Sequence, residues 1–187
     1  MSVRDGLLAI LTLGPAYGLQ LHVELANRAP HRKPVNVGQI YGTLERLAKQ
    51  ELVENDGTTE DGLPLYALTP SGSHSAGQWM HEPVTDSLPE WTEMLDQILV
   101  TSSLDAVTAT KLAETFRHWW EGDLKATRTS LPDPALRRDQ RLALVAREAQ
   151  AVAALAWIGA VTAELANNDS FRGYSGVRPK RGRRPNA

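Results

Sequence analysis

The stretch Asn36–Val53, NVGQIYGTLERLAKQELV, decides the fold. At 3.6 residues per turn, Ile40, Leu44, Leu47 and Glu51 fall on one face. Gln39, Gly42, Thr43, Arg46 and Lys49 fall on the other, which is small, polar and cationic toward one end. Asn36 suits a helix N-cap, and Gln39 stands at the spacing of a capping box. Such a polar face is either a wet surface or one shaped to lie against something. Gly42 costs helix stability, roughly 1 kcal/mol relative to alanine, and permits a close approach of the backbone.

The flanking chain gives this helix a context. Val3–Leu13 patterns as a short apolar helix ended by Gly14-Pro15, and Gly18–Arg28 as a second with Leu21 and Leu25 inward. Pro30 and Pro34 bracket the connection to the third helix, which runs to about Gln50. ELVEND follows, with a turn expected at Asn55–Gly57 and another signal at Asp61-Gly62. LPLYALT alternates as a strand, and Thr69–Gly72 closes it and caps a further helix. The order helix, helix, helix, strand, turn, strand is that of a helix-turn-helix unit with a two-stranded wing.

From Trp79 onward the pattern is helical. PEWTEMLDQILV forms one helix, and DAVTATKLAETFRHWWEGDLKAT another with an apolar face through Val107, Leu112, Phe116, Trp119 and Trp120. LPDP at Leu131–Pro134 breaks the chain before a long helix from about Pro134 to Ala166. The expected fold is mainly α: a winged helix-turn-helix domain over 1–80, an all-helical dimerisation and effector domain over 81–170, and a basic, disordered tail over 171–187.

The net charge of −2 conceals a split. Six cations and no acid lie from Phe171 onward, which leaves fourteen cations against 22 acids, a net −8, in the body. Whole-chain charge therefore does not point to nucleic acid, and any such role rests on a local surface. There is no cysteine, so disulfides and thiol-based metal or redox chemistry are excluded, in keeping with a reducing cytoplasm. No phosphate loop, nucleophile elbow or histidine–acid cluster at metal spacing is present, and neither enzyme activity nor a metal or cofactor is expected.

Three segments carry a family resemblance: LLAILTLGPAYG (Leu7–Gly18), VGQIYGTLERLAKQELV (Val37–Val53) and LYALTPSG (Leu65–Gly72). They resemble the PadR family of bacterial transcriptional regulators, with Gly38 and Tyr41 followed by Leu44 and Leu47 as the most specific signature. The helical part, with ALAWIGAV at Ala154–Val161, is similar to the branch with the larger C-terminal domain. Two features depart from the family pattern. Tyr17-Gly18-Leu19 stands where members often have His-Gly-Tyr, and the wing segment TTEDGLP carries two acids and no cation. The resemblance implies a winged-helix, homodimeric, ligand-responsive repressor of transcription, some of whose relatives sense phenolic acids and drug-like molecules.

Within that frame the third helix enters the major groove. Gln39, Thr43 and Arg46 are the candidates for base edges or phosphate, Lys49 and Lys33 for phosphate, and Gly42 for close approach. Arg32 adjoins Lys33 in the preceding turn. Tyr41 either touches the DNA backbone or packs on the second helix. The acidic wing tip is expected to stay off DNA. The Arg-Gly-Arg of the tail resembles a minor-groove segment, while a solubilising tail is the simpler alternative. Trp91, Trp119, Trp120 and Trp157, with His118, are candidates for a pocket holding a small aromatic effector, or else core and interface anchors.

The Ala-rich stretch Ala149–Ala163 is apolar almost all round and must be covered on more than one side. Its shortness and flanking charges favour burial against a second protomer over a membrane. The partners expected are therefore double-stranded operator DNA, a second copy and a small aromatic ligand, with no membrane. The alternative is a helical protein–protein interaction module whose winged helix no longer reads DNA, a reading favoured by the acidic wing and body.

Overall fold

The computed structural model of the chain describes residues 3–83, 90–167 and 171–176. Seven helices and one strand pair follow in the order α1 (Val3–Leu11), α2 (Gly18–Arg28), α3 (Val37–Lys49), β1 (Val53–Thr58), β2 (Pro64–Leu68), α4 (Pro70–His81), α5 (Trp91–Ser102), α6 (Ala106–Ser130) and α7 (Arg138–Asn167). This is the mainly helical winged-helix architecture that the sequence order implies.

The first core is built on α1, an apolar helix buried on nearly every side. Leu7, Leu8, Ala9, Ile10 and Leu11 pack with Leu21 and Leu25 of α2, Ile40, Leu44 and Leu47 of α3, and Trp79 and Met80 of α4. The wing is an antiparallel pair in which Val53 faces Leu68, Glu54 faces Ala67 and Asn55 faces Tyr66. Ala16, between α1 and α2, adds a bridge to Tyr66 through two backbone hydrogen bonds of 3.0 and 2.9 Å.

The turn expected at Asn55–Gly57 lies instead inside β1. Gly57 adopts φ +86° and its N–H donates to Asn55 Oδ1 at 3.0 Å, so the glycine makes an irregularity in the ladder rather than ending the strand. The chain reverses at Thr59–Gly62, where Thr59 N donates to Leu63 O and Gly62 N to Thr59 O. Glu51, placed by the wheel on the buried face of α3, stands beyond the helix end at φ 57° and is exposed.

One cap locks the third helix to the fourth. Thr69 Oγ1 accepts from Gly72 N at 3.0 Å and donates to Glu51 O at 2.7 Å, while Thr69 N donates to Leu52 O. A Cβ on Gly72 would stand 1.9 Å from Leu52 O, so only glycine fits this approach. The end of α3 is thereby fixed against the start of α4.

The second core joins α5, α6 and α7 through Met94, Ile98, Leu112, Phe116, Trp120, Ala151, Ala154 and Ile158. Val107, expected on the apolar face of α6, is 65% exposed because it lies off the Ala109–Leu112–Phe116–Trp120 stripe. Helix α5 also buries polar groups. Asp96 pairs with His31 Nε2 at 3.0 Å and Arg32 Nε at 3.1 Å, and Gln97 donates to the carbonyls of Trp79 and Glu82.

Residues 171–176, which open the segment read as a disordered tail, are docked on the winged helix. The buried Arg28 guanidinium donates to Glu24, to Ser103 O and Oγ, and to the carbonyls of Arg172 and Gly173. Tyr174 donates to Ile10 O and Gly14 O, and Ser175 N donates to Glu24 Oε1 at 2.7 Å. The Arg-Gly-Arg segment lies outside the described residues.

Helix α7 is the one helix among the described residues long and apolar enough to cross a membrane by length and composition, and only 17% of its most apolar window is buried within the chain. Its inner side, through Ala151, Ala154 and Ile158, packs on α6. Its outer side carries Leu142, Val145, Ala149, Val152, Ala156, Gly159 and Ala163, in alternating steps of three and four residues; all but the half-buried Gly159 are exposed. That period is the seam of a coiled coil. Two apolar seams on opposite sides explain why the stretch reads as apolar all round.

Candidate nucleic-acid interface

Helix α3 begins at Asn36, whose Oδ1 accepts from Gly38 N at 2.7 Å. Gln39, which stands at the capping-box position, faces solvent. The buried side of the helix holds Ile40, Leu44 and Leu47, each no more than 1% exposed, so packing fixes its rotation on the core.

With that side inward, Gly38, Gln39, Glu45, Arg46, Ala48 and Lys49 are exposed and Tyr41 and Gly42 half-buried. A Cβ on Gly42 would meet nothing within 4 Å, so this part of the helix is bare of neighbours.

Thr43 does not join them. It is 4% exposed, its hydroxyl donates to Gln39 O at 2.8 Å, and it accepts from Arg46 Nη2 at 3.0 Å. Thr43 precedes the buried Leu47 by four residues, so the two lie only about 40° apart round the helix. The expectation that Thr43 reads base edges is corrected: its hydroxyl is engaged within the helix, where it helps hold Arg46.

Tyr41 packs against α2. A Cβ on Gly18 would approach its ring to 2.6 Å, so Gly18, the first residue of α2, makes room for the Tyr41 side chain. This couples the Tyr17-Gly18 pair to the Gly38–Tyr41 signature. Arg32 is engaged by Asp96 of α5, whereas Lys33 is exposed beside the same cluster.

Two shallow grooves flank α3. One, of about 420 Å³, runs between its Gln39–Arg46–Gln50 flank and Val3, Arg4 and Arg32. The other, of about 590 Å³, continues past Gln39 to His31, Lys33 and Asp96. Cations and amides thus border one side of the helix. The wing presents the exposed acids Glu54, Asp56, Glu60 and Asp61. The Tyr66 hydroxyl, on β2, titrates above its ordinary range, first through burial and then through Tyr41 and Glu45.

Glu45 is the residue of this surface that sequence reasoning passed over. The same helical wheel places it among the outward positions, between Gly42 and Lys49.

The aromatic candidates gather around the second core rather than around an open space. Trp120 is 1% exposed, donates its indole N–H to Met94 Sδ, and meets Trp119 edge-on at 4.8 Å. Trp91 and Trp157 meet edge-on at 5.8 Å. His118 is exposed, with Nδ1 against Glu114 O, and does not join them. A cavity of about 550 Å³ lies elsewhere, between the end of α2, α5, α7 and residues 171–172, and none of its lining residues is a tryptophan.

The model of the Transcriptional regulator PadR-like family matches residues 7–78. No curated protein matches the chain. Among solved structures, the chain is similar to PadR of Bacillus subtilis in complex with operator DNA, at 19% identity over 88% of this chain and 99% of that one, with a TM-score of 0.40. It is also similar to smu.1604c of Streptococcus mutans, at 22% identity over 89% and 99%, with a TM-score of 0.39. A third is the virulence activator AphA of Vibrio cholerae, at 20% identity over 89% and 99%, with a TM-score of 0.37. The family match spans the segment from the middle of α1 to the last turn of α4, which holds α2, α3 and the wing.

Proposed function

We propose that the chain is a sequence-specific DNA-binding repressor of transcription that acts in the cytoplasm as a homodimer and responds to a small aromatic effector. The observation that carries this reading is the exposed side of α3, a capped helix held rigidly by the core and by the Thr69–Gly72 lock. Gln39 and Arg46 supply base-reading groups, Lys49 and Lys33 contact phosphate, and Gly42 admits the groove wall. Tyr41 acts from its place against α2 as a support for the reader.

The second copy covers the outer seam of α7. An exposed run of apolar and small residues at coiled-coil spacing asks for another helix, and the small side chains permit a close one. The salt link from Arg147 to Asp123 of α6 holds a charge within the helix, which suits a protein partner better than lipid. A two-fold axis then sets two α3 helices about 34 Å apart, in successive major grooves.

For the effector, the cavity between α2, α5 and α7 is supported better than the tryptophan cluster, because its volume falls in the range of ligand pockets. A ligand bound there would shift the populations of operator-binding and non-binding dimers.

Fluorescence anisotropy with the DNA just upstream of its own gene tests the reading, with an unrelated duplex as control. Preference for the upstream duplex is expected, with a loss of about 1–3 kcal/mol in Arg46→Ala and a larger one in Gln39→Ala/Arg46→Ala. Equal, steeply salt-dependent binding to both duplexes would remove α3 as the reader there and favour the interaction-module reading, with the basic tail holding DNA unspecifically.

A further inference from the structure

Glu45 places a carboxylate where a protein that only gripped phosphate would avoid one. It is exposed and lies three residues after Gly42, seven after Gly38 and four before Lys49, so all four residues follow one strip along α3. The two glycines leave that strip low, and the helix backbone there approaches a flat surface without obstruction by side chains. Glu45 is then the longest side chain in the middle of the strip.

A glutamate four residues before a lysine is also the spacing of an ordinary surface ion pair. No such pair forms here: among the described residues Glu45 makes no ion pair. Tyr41 lies one turn before it on the same side of the helix, and Glu45 does not border the groove lined by Arg4, Arg32 and Arg46. Its charge is therefore neither cancelled by a partner nor buried.

Against DNA a free carboxylate is repelled by every phosphate. What can repay it in the major groove is an amino donor on a base edge, and the donor that glutamate accepts from is cytosine N4. We infer that Glu45 is a specificity-determining residue whose carboxylate accepts a hydrogen bond from cytosine N4, so that each operator half-site carries a cytosine at the position it faces. This rests on the DNA-reading function proposed above. It gives the otherwise cationic helix a means of rejecting non-cognate sequence, since guanine and thymine offer a carboxylate no donor in the major groove and adenine sets an N7 acceptor beside its amino group.

The test is selection of duplexes from a randomised pool by the full-length protein, run in parallel for wild type, Glu45→Gln and Glu45→Ala. Matching far-ultraviolet circular dichroism and melting temperatures establish that both variants fold. The wild-type consensus is expected to hold one cytosine per half-site whose replacement weakens binding about tenfold or more. Glu45→Gln should exchange that cytosine for adenine, because glutamine pairs with the adenine edge. Glu45→Ala should lose preference at that position alone and keep the rest of the consensus. An unchanged consensus with uniformly tighter binding in Glu45→Ala overturns the assignment, because Glu45 would then only repel phosphate. A wild-type pool that never converges overturns sequence reading by this chain, and the assignment with it.

Discussion

Helices α1 and α7 differ in what they leave for others to cover. Seven of the nine residues of α1 are buried, and three of the thirty residues of α7. Both are rich in aliphatic side chains, so composition does not separate them. The winged helix encloses α1 within its own chain, between α2, α3, α4 and α5. The helical part covers only one seam of α7 and leaves the other at the surface. The first region closes on itself, and the second leaves a seam for the proposed second copy to cover.

The outer seam is where the comparison is most easily broken. Val152→Asp puts a carboxylate into the proposed dimer interface, and two-fold symmetry would put it there twice. Burying an unpaired charge costs several kcal/mol, so the dimer dissociation constant should rise at least about a hundredfold in sedimentation equilibrium. Helical content should stay near the wild-type level, because the exposed Val152 lies outside the second core. A variant that stays dimeric would place the interface elsewhere and leave the seam unexplained.

Arg28 sets the opposite limit, a contact whose loss the first region cannot absorb. Its side chain is fully buried, and burial lowers its pKa despite the facing Glu24 carboxylate. Arg28→Ala would strip Glu24, Ser103 and the carbonyls of Arg172 and Gly173 of their common donor. Removing one member of a buried pair costs about 3–5 kcal/mol, to be read as a shift in the urea midpoint. Trypsin should then cut at Arg172 faster than in wild type. Gly72→Ala follows at about 3 kcal/mol, since its methyl group would meet a backbone carbonyl that cannot move aside. It should also weaken the proposed DNA binding, because it loosens the end of α3.

Much of this was legible in the sequence, and the exceptions have physical causes. The bounds of α2, the Asn36 and Thr69 caps, the wing and the break before α7 all follow from turn and cap chemistry within a few residues. Thr43 was misplaced because one step of four residues separates the polar rim of α3 from its core. Glu45 was passed over because a search for DNA contacts favours cations and amides, although its position was plain. The pairing of Arg28 with Ser103 and of Asp96 with Arg32 spans scores of residues, and no local pattern marks either. The docking of 171–176 was hidden for the same reason: Gly, Arg and Ser read as a tail until Glu24 and Arg28 are seen waiting for them.

The smallest effect separates local chemistry from assembly within the second region itself. Asp105 caps α6, accepting from Val107 N at 2.9 Å, Thr108 N at 3.1 Å and Thr108 Oγ1 at 2.6 Å. These bonds, that from the Thr108 hydroxyl first, hold its pKa below the ordinary aspartate value. A lowered folded pKa means that the charged form is the one folding favours. The stabilisation is therefore fully present above about pH 4, the unfolded aspartate value, and is lost as pH falls below it through the folded value. Asp105→Ala should cost about 1 kcal/mol at neutral pH, and the gap to wild type should narrow in acid. Asp105→Asn should keep most of the cap while abolishing that part of the acid dependence. Because the cap is made within one turn of one helix, the same difference should appear in a Val152→Asp background, in which the proposed dimer is expected to dissociate. A cap whose worth vanished in the monomer would mean that α6 is ordered only by the partner, and the dependence of the second region on assembly would then reach beyond α7.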